Sequence, residues 1–241
     1  MGKHKLERFE EIKSFPNVLQ YPPNMPGNWR VHFKNDHPIV LELGCGRGEY
    51  TVGLAGFYPE RNFIGMDIKG NRIWKGAKTA LETGLANVAF VRSQIEQVQA
   101  YFGKDEIQEI WITFPDPQLR CSRMKKRLTH PRFLRLYQQF LAKGGKIHLK
   151  TDSPDLYAFT KAVIELYELP MLVDDDNIYG NLQVSPELSI KTHYEKMDIA
   201  GAQRVHYLSF QIDKSLPLAK DKVLKALFME PQTREHEGQI K

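Results

Sequence analysis

The 241-residue chain has two cysteines and no long apolar run, and both scarcities exclude whole classes of protein. Cys45 and Cys121 form no CxxC pair, which argues against a disulfide framework and a zinc knuckle. The eight histidines form no HxH or HExxH pattern, so we expect no metal site. No stretch approaches the roughly 18 apolar residues of a membrane span, and the charged residues 1–15 do not predict a secretory signal. We therefore expect a soluble, cytoplasmic protein without membrane association.

Positive charge is in small overall excess but is concentrated in one segment. Lys and Arg outnumber Asp and Glu by 34 to 29, which gives a net charge of +5. Residues 118–135, QLRCSRMKKRLTHPRFLR, contain seven Lys or Arg and no Asp or Glu, so the rest of the chain carries −2. Such a local excess is typical of proteins that bind a polyanion, although a solvated basic loop is the alternative.

Short apolar runs alternate with amphipathic stretches from about residue 38 to 175. This pattern predicts βαβ units in a doubly wound, Rossmann-like α/β fold. Strands are predicted at 39–43, 62–67, 88–92, 107–114 and 146–151, and helices at 49–57, 72–82, 131–141 and 154–170. Segments 171–173 and 205–212 would complete a mostly parallel seven-stranded sheet. An irregular insert precedes the second of these segments, which favours an antiparallel last strand.

The sequence therefore predicts one main domain with decorated ends. The domain comprises residues 38–213 and includes the basic loop 118–135 and the insert 174–204. Residues 1–37 are expected to form an irregular N-terminal arm, because proline and glycine are frequent between positions 16 and 27. Residues 214–241 are expected to form a charged C-terminal tail with one short helix near 223–228.

A glycine loop follows the first predicted strand in the sequence LELGCGRGEY. Gly44, Gly46 and Gly48 would permit a tight turn and close approach of a ligand to a helix N-terminus. Glu49 stands where an NAD fingerprint has its third glycine, and its carboxylate would face a pyrophosphate unfavourably. The GxGxG spacing instead fits the cofactor loop of S-adenosylmethionine (SAM) methyltransferases. A purely structural turn is the alternative.

Three acidic residues lie in or after predicted strands. Asp67 ends the second strand, where a carboxylate can accept hydrogen bonds from ribose hydroxyls. Glu42 lies inside the first strand and needs a partner, either the positive end of an amino-acid-like cofactor or nearby backbone amides. Asp116 follows the fourth strand between two prolines that stiffen the turn. Since ligands of doubly wound sheets bind beyond the carboxyl ends of the strands, Asp116 should point at the same crevice as Asp67.

These motifs make the chain resemble the tRNA (guanine-N(7)-)-methyltransferase family. The resemblance rests on LELGCGRG, GMDIKG, the FPDP turn with its basic continuation, HLKTD and KTHYE, in the family's order between about residues 39 and 212. It implies a class I SAM methyltransferase fold, SAM as the cofactor, tRNA as the partner, and a monomer or homodimer. The implied reaction transfers a methyl group to N(7) of a guanosine in the variable loop of tRNA.

The resemblance also implies a role for each residue that matches a family motif. Residues expected to bind the cofactor are Glu42, Gly44, Gly46, Gly48, Asp67, Gln94 and Asp116, and Asp116 is also the expected catalytic residue. Those expected to bind the guanosine-bearing RNA are Arg120, Asp152, Thr192, His193, Tyr194 and Glu195. Those expected to hold its phosphates are Arg123, Lys125, Lys126 and Arg127. The family often has Trp and Lys where this chain has Gln118 and Arg120, and Asp or Asn where it has Gln94.

The chemistry of the implied reaction makes modest demands on the protein. N(7) of neutral guanine has a free lone pair, so no general base is needed there, and alignment and electrostatics must supply the rate. Several alternatives stay open: a SAM methyltransferase acting on another RNA, a small molecule or a protein, a non-catalytic RNA-binding module, and an NAD enzyme. Asp152 could also simply start the following helix, and residues 192–195 could form an ordinary loop.

Overall fold

Strands and helices alternate along the chain in the computed structural model, which describes residues 3–180, 183–197 and 204–229. The strands are β1 (Val18–Gln20), β2 (Ile39–Leu43), β3 (Asn62–Asp67), β4 (Val88–Arg92), β5 (Ile107–Thr113), β6 (Leu141–Thr151), β7 (Met171–Asp175) and β8 (His206–Gln211). The helices are α1 (Lys3–Glu11), α2 (Trp29–Phe33), α3 (Glu49–Phe57), α4 (Gly70–Glu82), α5 (Pro131–Tyr137), α6 (Pro154–Tyr167), α7 (Pro186–Ser189), α8 (His193–Met197) and α9 (Ala219–Met229). Short 3-10 turns cover Ile12–Ser14, Ile95–Ala100, Cys121–Lys126 and Ile178–Gly180.

Within the described residues, the strands form one sheet in the order β1-β4-β3-β2-β5-β6-β8-β7. Neighbouring strands from β1 to β6 are parallel, whereas β8 is antiparallel to both β6 and β7. The predicted doubly wound α/β fold and the antiparallel last strand are therefore confirmed. The predicted number of seven strands is one too few, because β1 from the N-terminal arm pairs with β4.

The central strands are apolar because helices cover both faces of the sheet. All five residues of β2 are buried, as are the first five of β3. One hydrophobic cluster joins α5, α6 and α9 to the sheet, and a second joins α3 and α4 to the opposite face. This arrangement leaves the carboxyl ends of β2 to β5 as the edge at which a ligand can bind. Among the described helices, none is long and apolar enough to cross a membrane.

The N-terminal arm is not irregular as predicted, since it contains α1, β1 and α2. Ile12 and Trp29 are completely buried. The Trp74 indole of α4 donates a 2.6 Å hydrogen bond to the carboxylate of Glu11. A three-residue strand and a five-residue helix are too short to show periodicity, so tertiary contacts decide their structure.

The predicted boundaries between α5 and β6 also differ. Helix α5 ends at Tyr137 rather than 141, and β6 begins at Leu141 rather than 146. The pairing of β6 with β5 shifts register between Ile107 and Glu109, where β6 passes through the glycine pair 144–145. Glycines usually end a strand, but here they accommodate an irregularity within one. The predicted helix in the C-terminal tail corresponds to α9.

The insert, predicted as irregular, contains α7 and α8 and is tied to the sheet through Lys150 of β6. The Lys150 side chain has no solvent exposure. Its Nζ donates hydrogen bonds to the carbonyl oxygens of Leu188 and Ile190, both at 2.9 Å, and to Glu195 Oε2 at 3.1 Å. Burial lowers the pKa of Lys150, and the charge of Glu195 opposes that shift. A buried ammonium group therefore fixes three points of the insert.

Helix α3 provides a second attachment for the insert. The hydroxyl of Tyr50 donates a 2.5 Å hydrogen bond to the carbonyl oxygen of Glu187, and Tyr58 donates to the Glu187 carboxylate. A Cβ at Gly53 would lie 3.0 Å from the side chain of Ile190. Close packing at this glycine places the end of α7 directly on α3.

We expect Lys150→Met to lower the free energy of unfolding by about 3–5 kcal/mol, because it leaves the Glu195 carboxylate buried without its cation. Urea denaturation at neutral pH measures this loss. The double substitution Lys150→Met with Glu195→Gln should lose less than the sum of the single changes. Lys146→Met, at an exposed position of the same strand, is the control and should change stability by less than about 0.5 kcal/mol. A loss below about 1 kcal/mol for Lys150→Met would contradict the proposed attachment.

Candidate active site

A cleft with a volume of about 340 Å³ lies at the carboxyl ends of β2 to β5. Residues from four predicted motifs line it: Gly44 and Gly46 after β2, Asp67 of β3, Gln94 after β4 and Asp116 after β5. This volume lies in the range of small-molecule sites. The structure thus brings the glycine loop, the ribose-type acid and the Pro-Asp-Pro turn to one place, as the strand order requires.

The glycine loop requires glycine for both backbone and packing reasons. Gly44, Gly46 and Gly48 have φ angles of +74°, +56° and +72°, which lie in the left-handed region. A Cβ at Gly48 would lie 2.6 Å from the ring of Phe90 in β4. These constraints bring the start of α3 close against the sheet, and the N–H groups of Gly44, Gly46 and Gly48 are held by hydrogen bonds within the protein.

The carboxylate of Asp67 is anchored by two backbone amides. Its Oδ2 accepts a hydrogen bond from Gly46 N at 3.0 Å, and its Oδ1 accepts one from Lys69 N at 2.8 Å. A carboxylate has about four acceptor sites, so two remain for ligand hydroxyls. Asp67 therefore joins the glycine loop to the loop after β3 and can still bind a ligand.

Glu42 lies beneath the cleft rather than in its lining. Only 3% of the residue is exposed, and burial raises the pKa of its carboxyl group to about 7. The carboxylate accepts hydrogen bonds from Thr51 N at 2.9 Å, from Thr113 Oγ1 at 2.7 Å and from the Thr51 hydroxyl. Glu42 thus caps an amide in the first turn of α3 and ties that helix to the end of β5.

Asp116 is exposed in a turn whose backbone is constrained on both sides. Phe114 and Gln118 have φ angles of +45° and +48°, which are unfavourable for residues with side chains. Asp116 Oδ1 accepts a hydrogen bond from Gln118 N at 3.0 Å. The neighbouring prolines fix φ at two further positions. The carboxylate is therefore presented at the cleft in a defined orientation.

Gln94 is exposed at the start of the 3-10 turn after β4 and lines the cleft. Sequence reasoning missed other lining residues. Apolar walls come from Ile68, Ile95, Leu128 and Phe133, and Arg47 and Arg72 also line the cleft. The apolar residues continue ordinary core patterns and carry no signal of their own. Arg47 could have been noted because it stands between two loop glycines.

The KTHYE segment reaches the cleft through Thr192, which is 7% exposed and lines it. Thr192 and Glu195 form a capping box at the start of α8: Glu195 N donates to Thr192 Oγ1 at 3.1 Å, and Thr192 N donates to Glu195 Oε2 at 3.3 Å. Glu195 also accepts hydrogen bonds from Lys150 and Tyr179. Glu195 therefore supports Thr192 instead of being free for a substrate.

The remaining residues predicted to bind substrate lie around this region. His193 is half-buried in α8, and the side chain of Tyr194 falls outside the described residues. Asp152 is half-buried after β6, beside Ser153, which caps α6 by accepting a 3.2 Å hydrogen bond from Leu156 N. Asp152 does not line the cleft.

The basic segment contains exposed cations, one buried cation, and the half-buried Arg135, which forms an ion pair with Asp221. Arg120, Arg123, Lys125 and Lys126 are exposed and form no ion pair within the described residues; Lys126 also lines the cleft. The prediction that Arg127 holds RNA phosphate needs correction, because this residue is only 4% exposed. Its guanidinium donates hydrogen bonds to protein carbonyl oxygens instead.

A second cavity, of about 410 Å³, lies toward the amino ends of the strands. Its lining includes Arg61, Glu109, His148 and Tyr207. The side chain of Glu109 lies 3.2 Å from Arg61 and 3.4 Å from His148. His148 Nδ1 also forms a 2.8 Å hydrogen bond with the Tyr207 hydroxyl, and none of the predicted site residues lines this cavity.

Comparison with known proteins gives consistent matches over most of the chain. The family model described as "Putative methyltransferase" matches residues 36–207. A tRNA (guanine-N(7)-)-methyltransferase of Porphyromonas gingivalis is 51% identical over 211 residues, 83% of this chain and 86% of that protein. One of Bacteroides thetaiotaomicron is 46% identical over 221 residues, 88% of this chain and 87% of that protein.

A solved structure shows the same fold at low sequence identity. It is a mutant 16S rRNA (adenine(1408)-N(1))-methyltransferase from Catenulisporales acidiphilia with cosubstrate SAM. The TM-score is 0.55 at 15% identity, and the match covers 80% of this chain and 93% of that one. The likeness concerns the fold.

The raised pKa of Glu42 predicts a pH dependence of stability that Glu42→Gln removes. The folded protein holds the proton up to about pH 7, whereas the unfolded chain releases it near 4.5. Proton binding by Glu42 therefore stabilises the folded state, and this contribution is fully present below about pH 4.5, the pKa of the unfolded chain. The contribution is lost as the pH rises to about 7, the pKa in the folded protein. Relative to Glu42→Gln, the wild type should lose about 2–3 kcal/mol of unfolding free energy between about pH 5 and pH 8.

Urea denaturation across that pH range measures the difference. Glu82→Gln, which changes an exposed glutamate of α4, is the control and should parallel the wild type. A constant difference between the wild type and Glu42→Gln at every pH would show that Glu42 titrates normally.

Proposed function

The chain belongs to the tRNA (guanine-N(7)-)-methyltransferase family, and we propose that it transfers a methyl group from SAM to N(7) of a guanosine in the variable loop of tRNA. The observation that carries this proposal is the convergence of the glycine loop, Asp67 and Asp116 in one cleft. The exposed cation Lys126 lines this cleft, and Arg120, Arg123 and Lys125 of the same basic segment are also exposed. Because tRNA is the substrate, we place the enzyme in the cytoplasm.

The residues of the cleft fit SAM. Asp67 has free acceptor sites for ribose hydroxyls, and the glycine loop allows close approach of the cofactor to the backbone. Ile68 and Ile95 supply apolar surface for the adenine ring beside Gln94. Glu42 acts from beneath by fixing the start of α3. When bound, SAM supplies an electrophilic methyl group on a positively charged sulfur atom.

The protein has to orient the guanine rather than deprotonate it. N(7) carries a free lone pair in the neutral base, and methylation leaves a positive charge on the ring. Asp116 accepts hydrogen bonds from the N–H edge of the guanine, which fixes the ring and stabilises the developing charge. The backbone N–H of Gln118 donates a hydrogen bond that holds the Asp116 carboxylate in place for this role.

The accessibility of N(7) favours a loop nucleotide as the target. N(7) faces the major groove, and in an A-form helix that groove is too narrow for side chains. A guanosine in the variable loop can instead enter the cleft. Arg120 is the cation closest in sequence to the turn and contacts the target nucleotide, and Thr192 lines the cleft on the side of the insert.

Alternative functions fit the cleft less well. Glu49 lines it, where its carboxylate would repel the pyrophosphate of a dinucleotide. A small-molecule methyltransferase would have no use for the exposed cations of segment 118–135. A non-catalytic RNA-binding module would have no use for the anchored Asp67 or for the constrained turn at Asp116.

Incubation of the protein with unmodified tRNA and labelled SAM tests the function. We expect one 7-methylguanosine, mapped by cleavage at the modified nucleotide, in the variable loop. Asp116→Ala should abolish turnover, and Asp116→Asn should lower kcat by about 100-fold through loss of charge at constant shape. Both variants should bind SAM within about threefold of the wild type by calorimetry, since Asp67 and the glycine loop are intact.

Methylation of another nucleotide, or of no tRNA, would contradict the proposed reaction. Normal turnover by Asp116→Ala would contradict only the role of Asp116.

Neutralising the exposed cations should weaken tRNA binding and its dependence on salt. The triple variant Arg123→Gln, Lys125→Gln and Lys126→Gln removes three charges that can hold phosphates. The slope of log affinity against log salt should fall in magnitude by about 2–3. The matched control changes three exposed lysines near the amino ends of the strands, Lys34, Lys104 and Lys143, to Gln and should keep the wild-type slope. Equal slopes for all three proteins would identify the basic segment as a solvated loop.

A further inference from the structure

Arg127 lies in the basic segment but does not face solvent. The residue is 4% exposed, and its guanidinium carbon lies 4.5 Å from the centroid of the Phe159 ring in α6. Burial lowers the pKa of Arg127, against the opposing effect of the Asp155 charge, although an arginine remains cationic. Burying a charge costs free energy unless hydrogen bonds or an opposite charge compensate for the lost water.

The hydrogen bonds of Arg127 converge on the turn that carries Asp116. Nε donates to the carbonyl oxygen of Pro117 at 3.0 Å, and Nη2 donates to the carbonyl oxygen of Gln118 at 3.3 Å. The guanidinium fork thus fixes two successive peptide groups directly after Asp116. Nη1 is buried and has no hydrogen-bond partner within the described residues. The contacts of Arg127 therefore leave part of the cost of burying its guanidinium group uncompensated. Its hydrogen bonds to the turn give a better reason for its burial.

The turn requires such support because its backbone is strained. Gln118 has a φ angle of +48°, and its N–H is the group that binds the Asp116 carboxylate. Phe114, on the other side of the turn, has a φ angle of +45°. The carbonyl oxygen of Pro117 and the N–H of Gln118 belong to one planar peptide group, so a relaxation of the turn that rotates this group would turn the N–H away from Asp116 and release the carboxylate. The contacts from Arg127 to Pro117 and Gln118 oppose this relaxation.

We propose that Arg127 is a positioning residue for methyl transfer, which sets the orientation of the Asp116 carboxylate by holding the carbonyl groups of Pro117 and Gln118. The proposal rests on the proposed function, in which Asp116 contacts the target guanine. Residues of the basic segment then have two different roles. The exposed cations bind RNA, whereas the buried Arg127 supports the turn that carries Asp116. Arg127 acts through the backbone of the turn and touches no substrate.

Steady-state kinetics with tRNA and SAM test this proposal on Arg127→Lys. Lysine keeps the charge but cannot donate to both carbonyl groups in a fork. We expect kcat to fall by about 10- to 100-fold, because a small misplacement of an orienting group has an effect of this size. KM for tRNA, KM for SAM and the calorimetric Kd for SAM should stay within about threefold of the wild type.

A matched control is Arg61→Lys. Arg61 also donates a hydrogen bond to a partner, Glu109, at 3.2 Å and lies over a ring, that of Tyr58, but it lies far along the strands from the turn. It should retain kcat within about twofold even if its Tm falls. A kcat for Arg127→Lys within twofold of the wild type, or an equal loss of kcat in Arg61→Lys, would overturn the proposal.

Two further measurements separate positioning from folding and from the proposed function. In an Asp116→Asn background, Arg127→Lys should lower kcat by no more than about threefold, since the group that it orients has lost its charge. Full additivity of the two losses would overturn the proposal.

If the Arg127→Lys variant does not bind SAM, the Arg127→Met variant is used instead, because this change removes the unpartnered buried Nη1. The Arg127→Met variant should bind SAM and still have a lowered kcat. A normal kcat for this variant would overturn the proposal. The absence of 7-methylguanosine with wild-type protein would instead contradict the proposed function.

Discussion

Lys150 carries its ammonium group in the interior of the protein, surrounded by oxygen atoms of one segment. Two carbonyl oxygens of the insert and the carboxylate of Glu195 accept its hydrogen bonds, so a group that would be costly alone is compensated only when the insert is docked. The same Glu195 caps α8 together with Thr192, and Thr192 lines the cleft. One buried charge in the sheet thereby determines where the far side of the cleft lies.

The cleft itself depends on carboxylates that backbone amides hold in place. Asp67 is held by Gly46 and Lys69, Asp116 by Gln118, and the buried Glu42 by Thr51. Each bond fixes a carboxylate, and the bond from Gly46 also joins the glycine loop to the end of β3. A reaction that needs no proton removal at the attacking atom gains most from such fixed geometry. Rigid placement of acceptors, rather than tuned acid–base groups, is the property that this site offers.

The sequence predicts the central fold and the location of the site well, because both depend on local patterns. Apolar runs fixed the ends of β2, β3 and β4, and the positions of Gly44, Asp67 and Asp116 at strand ends placed them in one cleft. The roles of Arg127 and Glu195 could not be predicted, since only tertiary contacts distinguish a buried cation or a capping carboxylate from an exposed one. The strand β1 was missed for a similar reason: three residues show no periodicity, and pairing with β4 creates the strand.

The central claim is that one cleft binds both the cofactor and the target base. A crystal structure with S-adenosylhomocysteine tests it most directly. We predict ribose hydroxyls within hydrogen-bond distance of Asp67, the adenine beside Gln94 and Ile68, and the sulfur atom on the side of Asp116. Binding of the ligand in the second cavity, beside Arg61 and Glu109, or an orientation with the sulfur turned away from Asp116, would contradict the account.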